Sequence, residues 1–201
     1  LENFVHINNG IVTGNDKKYL SFNCENNFYK KAVRGKDIKR YSRLSENEYI
    51  FYKKDELLRA RDENIFLANE KLIMQMINIH FIITYDNEKY YNLGTTYAIT
   101  KKENSKTDLK YLLSILNSEL IKFYYLKKFT NESSLTNAIS TQNLFNIPIK
   151  EISIENQQPF IEKADQMLSL NKELQEISAK FQRNLQREFS LETLSKKLQN
   201  W

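Results

Sequence analysis

Proline and glycine are scarce: the 201 residues contain two prolines and four glycines. Gly10, Gly14 and Gly35 stand alone, so no phosphate-cradling glycine loop can be drawn. Pro148 and Pro159 are isolated, so there is no Asn/Asp-Pro-Pro-aromatic site of the kind that holds a flipped adenine. One cysteine, Cys24, excludes an internal disulfide, and His6 and His80 are too few to complete a Cys/His zinc cluster. Neither histidine stands in a Ser or Cys nucleophile motif; His80, inside an apolar run, is expected to be a hydrogen-bonded core residue. Asp86, Glu88 and Lys89 are the residue types of a Mg²⁺-dependent nuclease, but they crowd into a turn where such a grouping is ordinary. The chain begins without a basic segment and small-residue cleavage site, so no signal peptide is expected. The longest apolar stretch, Leu72 to Tyr85, carries Gln75, Asn78 and His80 and is too short to span a bilayer. No membrane partner is expected, and the setting is a reducing cytoplasm.

What is present is apolar surface and locally concentrated charge. A hydrophobic fraction of 41%, with twelve Tyr and twelve Phe, is enough to offset chain entropy despite 27% charged residues. The length suits one domain with an appended element. Between Lys30 and Arg61 lie eleven basic residues against five acidic ones, so this stretch carries more than the whole net charge of +5 and the remainder is close to neutral. Tyr29, Tyr41, Tyr49, Phe51 and Tyr52 are interleaved with those cations. Lys and Arg displace counterions from phosphates, and Arg can fork onto a guanine edge, so the segment fits a polyanion; a merely solvated basic face has the same composition.

Periodicity divides the chain. From Leu1 to about Tyr52, short runs such as Tyr19–Phe22 and Tyr49–Tyr52 alternate with turn-rich pieces and read as strands and loops. Leu72–Met76, Ile79–Tyr85 and Thr95–Thr100 read as three more strands, with a hairpin turn at Asp86-Asn87-Glu88; their imperfect alternation suits a sheet buried on both faces. Leu109, Leu112, Leu113, Leu116, Leu120, Phe123 and Tyr124 recur at helical spacing, with Asp108 as the cap, and predict one helix of four or five turns. Thr130 to Gln142 reads as a polar loop with room for a helical turn. Pro159 fits the first turn of a helix from about Gln158 to Glu188, in which Phe160, Met167, Leu170, Leu174, Ile177 and Phe181 occupy heptad a and d positions. That helix is too long to pack wholly on this domain: part of it reaches another helix, or it bends at Asn184 to Phe189 and folds back. The fold class is mixed α/β, a twisted, mostly antiparallel sheet with flanking helices. Residues 1–154 form the domain and residues 155–201 a helical, coiled-coil-like tail.

Several stretches, in this order, resemble the TaqI-like C-terminal specificity domain of adenine DNA methyltransferases and single-chain type IIG restriction enzymes. INNGIVTGNDKKYL is similar to that family's Gly-aliphatic-x-Thr-Gly opening strand, and KKAVRGKDIKRY to its Arg-Gly-x-Asp-Ile-x-x-Tyr segment, the most specific match. FLANEKLIMQM, ITYDNEKYYNLGTTYAIT, DLKYLLSILNSELIKFYY and LFNIPIKEIS follow the family's strand, hairpin, Leu-Asn-Ser helix and lead into the long helix. The resemblance spans about Gly10 to Lys172. NQQPFIEKADQML also looks like the conserved helix of a type I restriction specificity subunit, but the second proline near Pro148 is missing and Asn156-Gln157 replaces the customary Glu-Gln.

The resemblance implies target recognition on double-stranded DNA, in a prokaryotic cytoplasm, by a piece that performs no chemistry and holds no cofactor. S-adenosylmethionine and Mg²⁺ belong to a methyltransferase or nuclease module N-terminal to it in a parent chain. Arg34, Lys36, Lys39, Arg40 and Arg43 are the expected phosphate and base contacts, with Arg34 and Arg40 favoured for guanine forks. Thr13, Asn15 and Lys17 form a second backbone clamp, and Lys53 and Lys54 add phosphate contacts. Gln75, Asn78, Thr95 and Thr96 are candidate base readers, with Asn131 and Asn137 in the polar loop. Two rival readings are half of a type I specificity subunit and a coiled-coil interaction module that binds an acidic protein; helix-mediated self-association is compatible with all three.

Overall fold

The structure, a computed structural model, describes residues 1–44, 47–129, 138–195 and 198. Its first sheet has the order β1-β8-β5-β6, from β1 (Val5–Asn9), β8 (Thr96–Lys101), β5 (Lys71–Gln75) and β6 (Ile83–Asp86), every pair antiparallel. The second has the order β2-β4-β3-β7, from β2 (Leu20–Ser21), β4 (Tyr49–Phe51), β3 (Tyr29–Val33) and β7 (Tyr91–Asn92), where β3 and β7 pair in parallel. Among the described residues six α-helices accompany them: α1 (Asp16–Tyr19), α2 (Asn64–Leu67), α3 (Leu109–Leu116), α4 (Glu119–Phe129), α5 (Thr141–Phe145) and α6 (Ile154–Glu188). The expected mixed, mostly antiparallel α/β class with a long C-terminal helix is what forms.

The continuous apolar run in β5 follows from its central place. Leu72 and Met74 face a core with Leu109, Leu112, Leu113, Leu116 and Ala164 of the helices, while Ile73, on the opposite face, meets Val33, Ile38, Leu44 and Tyr90 between the sheets. The second sheet has its own core, in which Tyr91 lies between Phe66 (ring centroids 4.8 Å) and Tyr52 (5.1 Å). The chain crosses from the first sheet toward the second at Gly10. There the Gly10 N–H donates to Thr96 O and that of Ile11 to Asn92 O, so close that a Cβ on Gly10 would stand 2.6 Å from the Leu93 carbonyl carbon. Glycine is required here by contact, not by dihedral angle.

Five expectations are corrected. Strand β6 begins at Ile83, not Ile79, and Asp86-Asn87-Glu88 is not a hairpin: the Asp86 carboxylate accepts the N–H groups of Glu88 and Tyr90 and turns the chain toward β7 in the other sheet. The helix expected from Leu109 to Tyr124 is two helices, broken just after buried Asn117, whose own N–H still donates to Leu113 O at 3.1 Å and closes α3. Its Oδ1 accepts the Ile83 N–H at 3.2 Å and its Nδ2 donates to Ile83 O at 3.0 Å, so one amide pairs both backbone groups of Ile83 on the open edge of β6. Edge groups left unpaired would invite another strand.

The fourth and fifth corrections concern α6, which starts four residues earlier than expected. Ser153 caps it through the Asn156 N–H, so Pro159 lies inside the helix rather than in its first turn. At 35 residues it is about 52 Å long at 1.5 Å per residue. Buried Gln157 anchors its start, accepting the Asp108 N–H at 2.8 Å and donating to Ile152 O at 3.1 Å, and Ala164 packs into the first core. Rather than bending, the helix runs unbroken to Glu188; Ser190 then takes a positive φ of 49°, and the following residues return along the helix, with Leu194 buried and Gln182 Nε2 on Leu198 O at 2.9 Å. Within the described residues no helix is long and apolar enough to cross a membrane.

Candidate nucleic-acid interface

Antiparallel pairing gathers four ends at one edge of the first sheet: the C-terminal ends of β1 and β5 and the N-terminal ends of β6 and β8. The loop Arg34 to Tyr41 is fastened across this edge. Gly35–Asp37 makes one 3-10 turn; Gln75 Nε2 donates to Ile38 O at 2.8 Å, and the Tyr41 N–H donates to Ile83 O at 3.2 Å. Tyr41 accepts a φ of 56°, an αL conformation that costs a non-glycine residue about 1 kcal/mol. Gly35 and Ile38 are buried against the sheet while Lys36, Lys39 and Arg40 point to solvent. The alternation in the motif is thus a loop with an anchored apolar side and a cationic outer side.

Arg34 is differently placed. Its Nε lies 2.8 Å from Glu48 Oε2 and its Nη1 2.9 Å from Asp16 Oδ2, with the Thr13 hydroxyl donating to the other oxygen of Asp16. Thr13, Asp16 and Arg34 line a cleft of about 410 Å³ together with Thr95, which ties the Thr13–Asp16 loop to the basic loop. The Asp16 carboxyl is held below the ordinary carboxylate range, first by the Thr13 hydroxyl and then by Arg34. A lowered carboxyl pKa contributes stability at neutral pH that is lost as acid titrates the group. Arg34→Gln is therefore expected to cost about 1 kcal/mol, discounted because the side chain is one-third exposed. It should weaken DNA binding by loosening the loop, without lowering the salt slope. Anisotropy titrations over a salt series check this; a slope lower by about one unit would place Arg34 on a phosphate instead.

The remaining candidates fall into three groups. Lys17, on α1, and Lys36, Lys39 and Lys54 are exposed and form no ion pair with any described residue. Arg40, 43% exposed, sends only Nη1 inward, to Asn117 O at 3.3 Å and Glu119 Oε1 at 3.5 Å. Lys53 rests over the Phe28 and Phe51 rings and pairs with Glu56, which also pairs with Lys18. These contacts connect a band of cations from Lys53 and Lys54 through α1 to Arg34, Lys36, Lys39 and Arg40. Arg43 stands apart, on Glu88 at the far end of β6.

The candidate base readers divide further. Thr13 and Thr96 are buried; Thr96 Oγ1 donates to Leu93 O at 2.7 Å and accepts from Asn92 Nδ2 at 2.9 Å, so its hydroxyl serves the fold. Gln75 uses its amide on Ile38 O and on Asn78 Nδ2, whose Oδ1 accepts the His80 N–H. Asn15 caps α1 and is exposed, as is Thr95 at the rim of the cleft. Asn131 and Asn137 lie outside the described residues.

Sequence reasoning missed the continuation of the band across α4. Lys122 pairs with Glu119 at 2.8 Å, beside Arg40 and His80. His80 is not a hydrogen-bonded core residue: it is half-buried, its buried Nδ1 has no partner, and burial followed by the Lys122 and Arg40 charges pushes its pKa below the ordinary value. Around it Ile77, Ile79, Leu120 and Phe123 are all at least 44% exposed. The available signal was Leu120 and Phe123, three residues apart on a face that Ile121 and Tyr125, both buried, do not share. Among the described residues no group of three or more His, Cys, Asp or Glu is placed to hold a metal ion.

Comparison with known proteins gives two matches in series. The profile of the TaqI-like C-terminal specificity domain matches residues 30–149, and that of a domain of unknown function (DUF8810) matches residues 153–201. No curated protein matches the chain. The first match contains the whole basic loop and the ends of β5, β6 and β8 to which it is fastened; the second begins at the cap of α6.

Proposed function

This chain belongs to the TaqI-like C-terminal specificity domain family, and we propose that residues 1–154 select the DNA target of a type IIG restriction endonuclease or N6-adenine DNA methyltransferase. The observation that carries this reading is the outward display of Lys36, Lys39 and Arg40 on one loop fastened across the edge of the first sheet, with Lys17 of α1 joined to that loop through the Asp16–Arg34 ion pair. Cations so arranged follow a phosphate backbone, while Asn15, Thr95 and the outer face of Arg40 are free to meet base edges. Arg34 serves by clamping two loops rather than by forking onto guanine.

Catalysis is assigned to a methyltransferase or nuclease module of the parent chain, which binds S-adenosylmethionine and Mg²⁺. The tail from residue 155 is a spacer toward that module or another partner, and the setting is the prokaryotic cytoplasm. The type I specificity-subunit alternative differs in the parent reading frame, where a second recognition domain would replace the methyltransferase motifs.

The isolated chain is expected to bind duplex DNA weakly, with little sequence preference and a steep salt dependence, because counterion release supplies non-specific affinity. Fluorescence anisotropy checks this, and binding that ignores salt would remove the DNA-facing assignment. Incubation with DNA and either S-adenosylmethionine or Mg²⁺ should give neither methylation nor cleavage. Turnover abolished by a substitution within the chain would instead place an active site here.

A further inference from the structure

Helix α6 carries more apolar surface than its own domain covers. Its inward side is Gln157, Ile161, Ala164 and Leu168, continued by Gln175, whose Nε2 donates to Arg43 O at 3.2 Å. A second stripe lies roughly 100° around the helix, at the a and d positions of a heptad. Met167, Leu170, Leu174 and Ile177 are 42%, 58%, 64% and 57% exposed, and Phe181 continues the series. No charged residue interrupts those positions from Met167 to Phe181.

Charge along the helix has a polarity. From Ile154 to Glu176 there are five acidic and two basic residues; from Ser178 to Arg187 there are three basic residues and no acidic one. A second copy running antiparallel lays the basic part of each helix on the acidic part of the other, whereas a parallel copy sets like against like. The flanking positions choose the register. In parallel pairing the g-to-e contacts are Gln166 with Asn171, Glu173 with Ser178 and Lys180 with Leu185, none an ion pair. One antiparallel register stacks Met167 on Ile177 and Leu170 on Leu174 but sets Glu173 against its own copy. The other stacks Leu174 on Ile177 and Leu170 on Phe181, and sets Glu173 opposite Lys180 twice, once on each side of the two-fold axis.

We propose that α6 pairs with α6 of a second copy of this chain in that second antiparallel register, forming a two-fold dimer held by Leu170, Leu174 and Ile177 with Glu173–Lys180 pairs at its flanks. The interface is self-complementary, as two-fold symmetry requires. It leaves the inward side of the helix on its own domain and the band of cations at the distant sheet edge uncovered.

Sedimentation velocity on the 201-residue chain tests this over a range of roughly 1–300 μM, which brackets a dissociation constant in the micromolar range. The weight-average mass should rise from monomer to dimer. Leu174→Lys should raise the dissociation constant at least about 30-fold, since it places an ammonium in the seam. Glu173→Lys should raise it about tenfold by facing Lys180 of the second copy, and adding Lys180→Glu should restore it. The exposure of all three side chains keeps the monomer fold, which circular dichroism verifies. A chain that stays monomeric throughout, or a dimer indifferent to Leu174→Lys, overturns the proposal. So does a dimer that Leu174→Lys abolishes but that the charge reversals leave unchanged, because its orientation would then not be antiparallel.

Discussion

Exchanging Lys71 for methionine is expected to destabilise the protein by about 3–5 kcal/mol, the usual range when one partner of a buried ion pair is removed. Lys71 and Asp86 face each other in the β5–β6 register with essentially no exposure, and their charged atoms are in contact. The ammonium also donates to Phe66 O at 2.9 Å, at the end of α2, so one group joins the first sheet to the second core. Burial pushes the Lys71 pKa down and the Asp86 charge opposes that shift. Without the cation, Asp86 is left as a carboxylate in the interior.

Asp86→Leu is expected to be worse still, because the Glu88 and Tyr90 N–H groups lose their acceptor as well and Tyr90 N–H is buried. The double change Lys71→Met with Asp86→Leu removes both charges but not those two orphaned donors, so it should recover only part of the loss. For a chain of this size 3–5 kcal/mol is a melting-temperature fall of about 6–20 °C. Denaturant and thermal unfolding of the three variants decide the matter, and a single substitution costing under about 1 kcal/mol would mean the pair is solvated rather than buried.

The same pair shows where the sequence could and could not be read. Asp86-Asn87-Glu88 has the composition of a hairpin turn, and nothing local says that Asp86 faces a lysine fifteen positions earlier. Its role as a crossing between sheets depends on tertiary pairing. Asn117 is a similar case: Leu109 to Tyr124 keeps helical spacing through it, and only the open edge of β6 explains where its side-chain amide goes. Conversely, the Arg34 to Tyr41 segment was legible because its requirements are local, with Gly35 against Thr95, Ile38 inward and the cations outward. Heptad spacing likewise revealed the long helix, although Pro159 misled about its start, since Ser153 supplies a cap seven residues upstream of Phe160, where the apolar pattern begins. Burial of Thr96 and the carboxylates around Arg34 were invisible, because both depend on which segments meet.

The band of cations carries the remaining large effect, and a charge-matched comparison isolates it. Lys36→Ala, Lys39→Ala and Arg40→Ala together remove three charges from the proposed DNA-facing edge. Lys101→Ala, Lys102→Ala and Lys106→Ala remove three from the opposite end of β8, about five residues or some 17 Å along the strand. If Lys36 and Lys39 each neutralise one phosphate while Arg40 meets a base edge, the first variant should lower the slope of log K against log salt by about 1.8 units, at 0.9 per phosphate contact. Its affinity at low salt should fall by roughly two orders of magnitude, with the second variant near parental on both counts. Net charge is the same in the two variants, so a general field effect predicts equal losses, and equal losses would dissolve the site. Within the first group Arg40 has a further signature in a full-length parent. Its guanidinium keeps Nε and Nη2 outside the contacts to Asn117 and Glu119, so Arg40→Ala should relax selection at one base pair by about 1–3 kcal/mol. Lys53→Ala, a phosphate contact on the same reading, should weaken every sequence alike and lower the slope by about one unit. Both variants should fold, since each side chain is more than 40% exposed; parental binding and slope in both would remove the edge from the DNA surface.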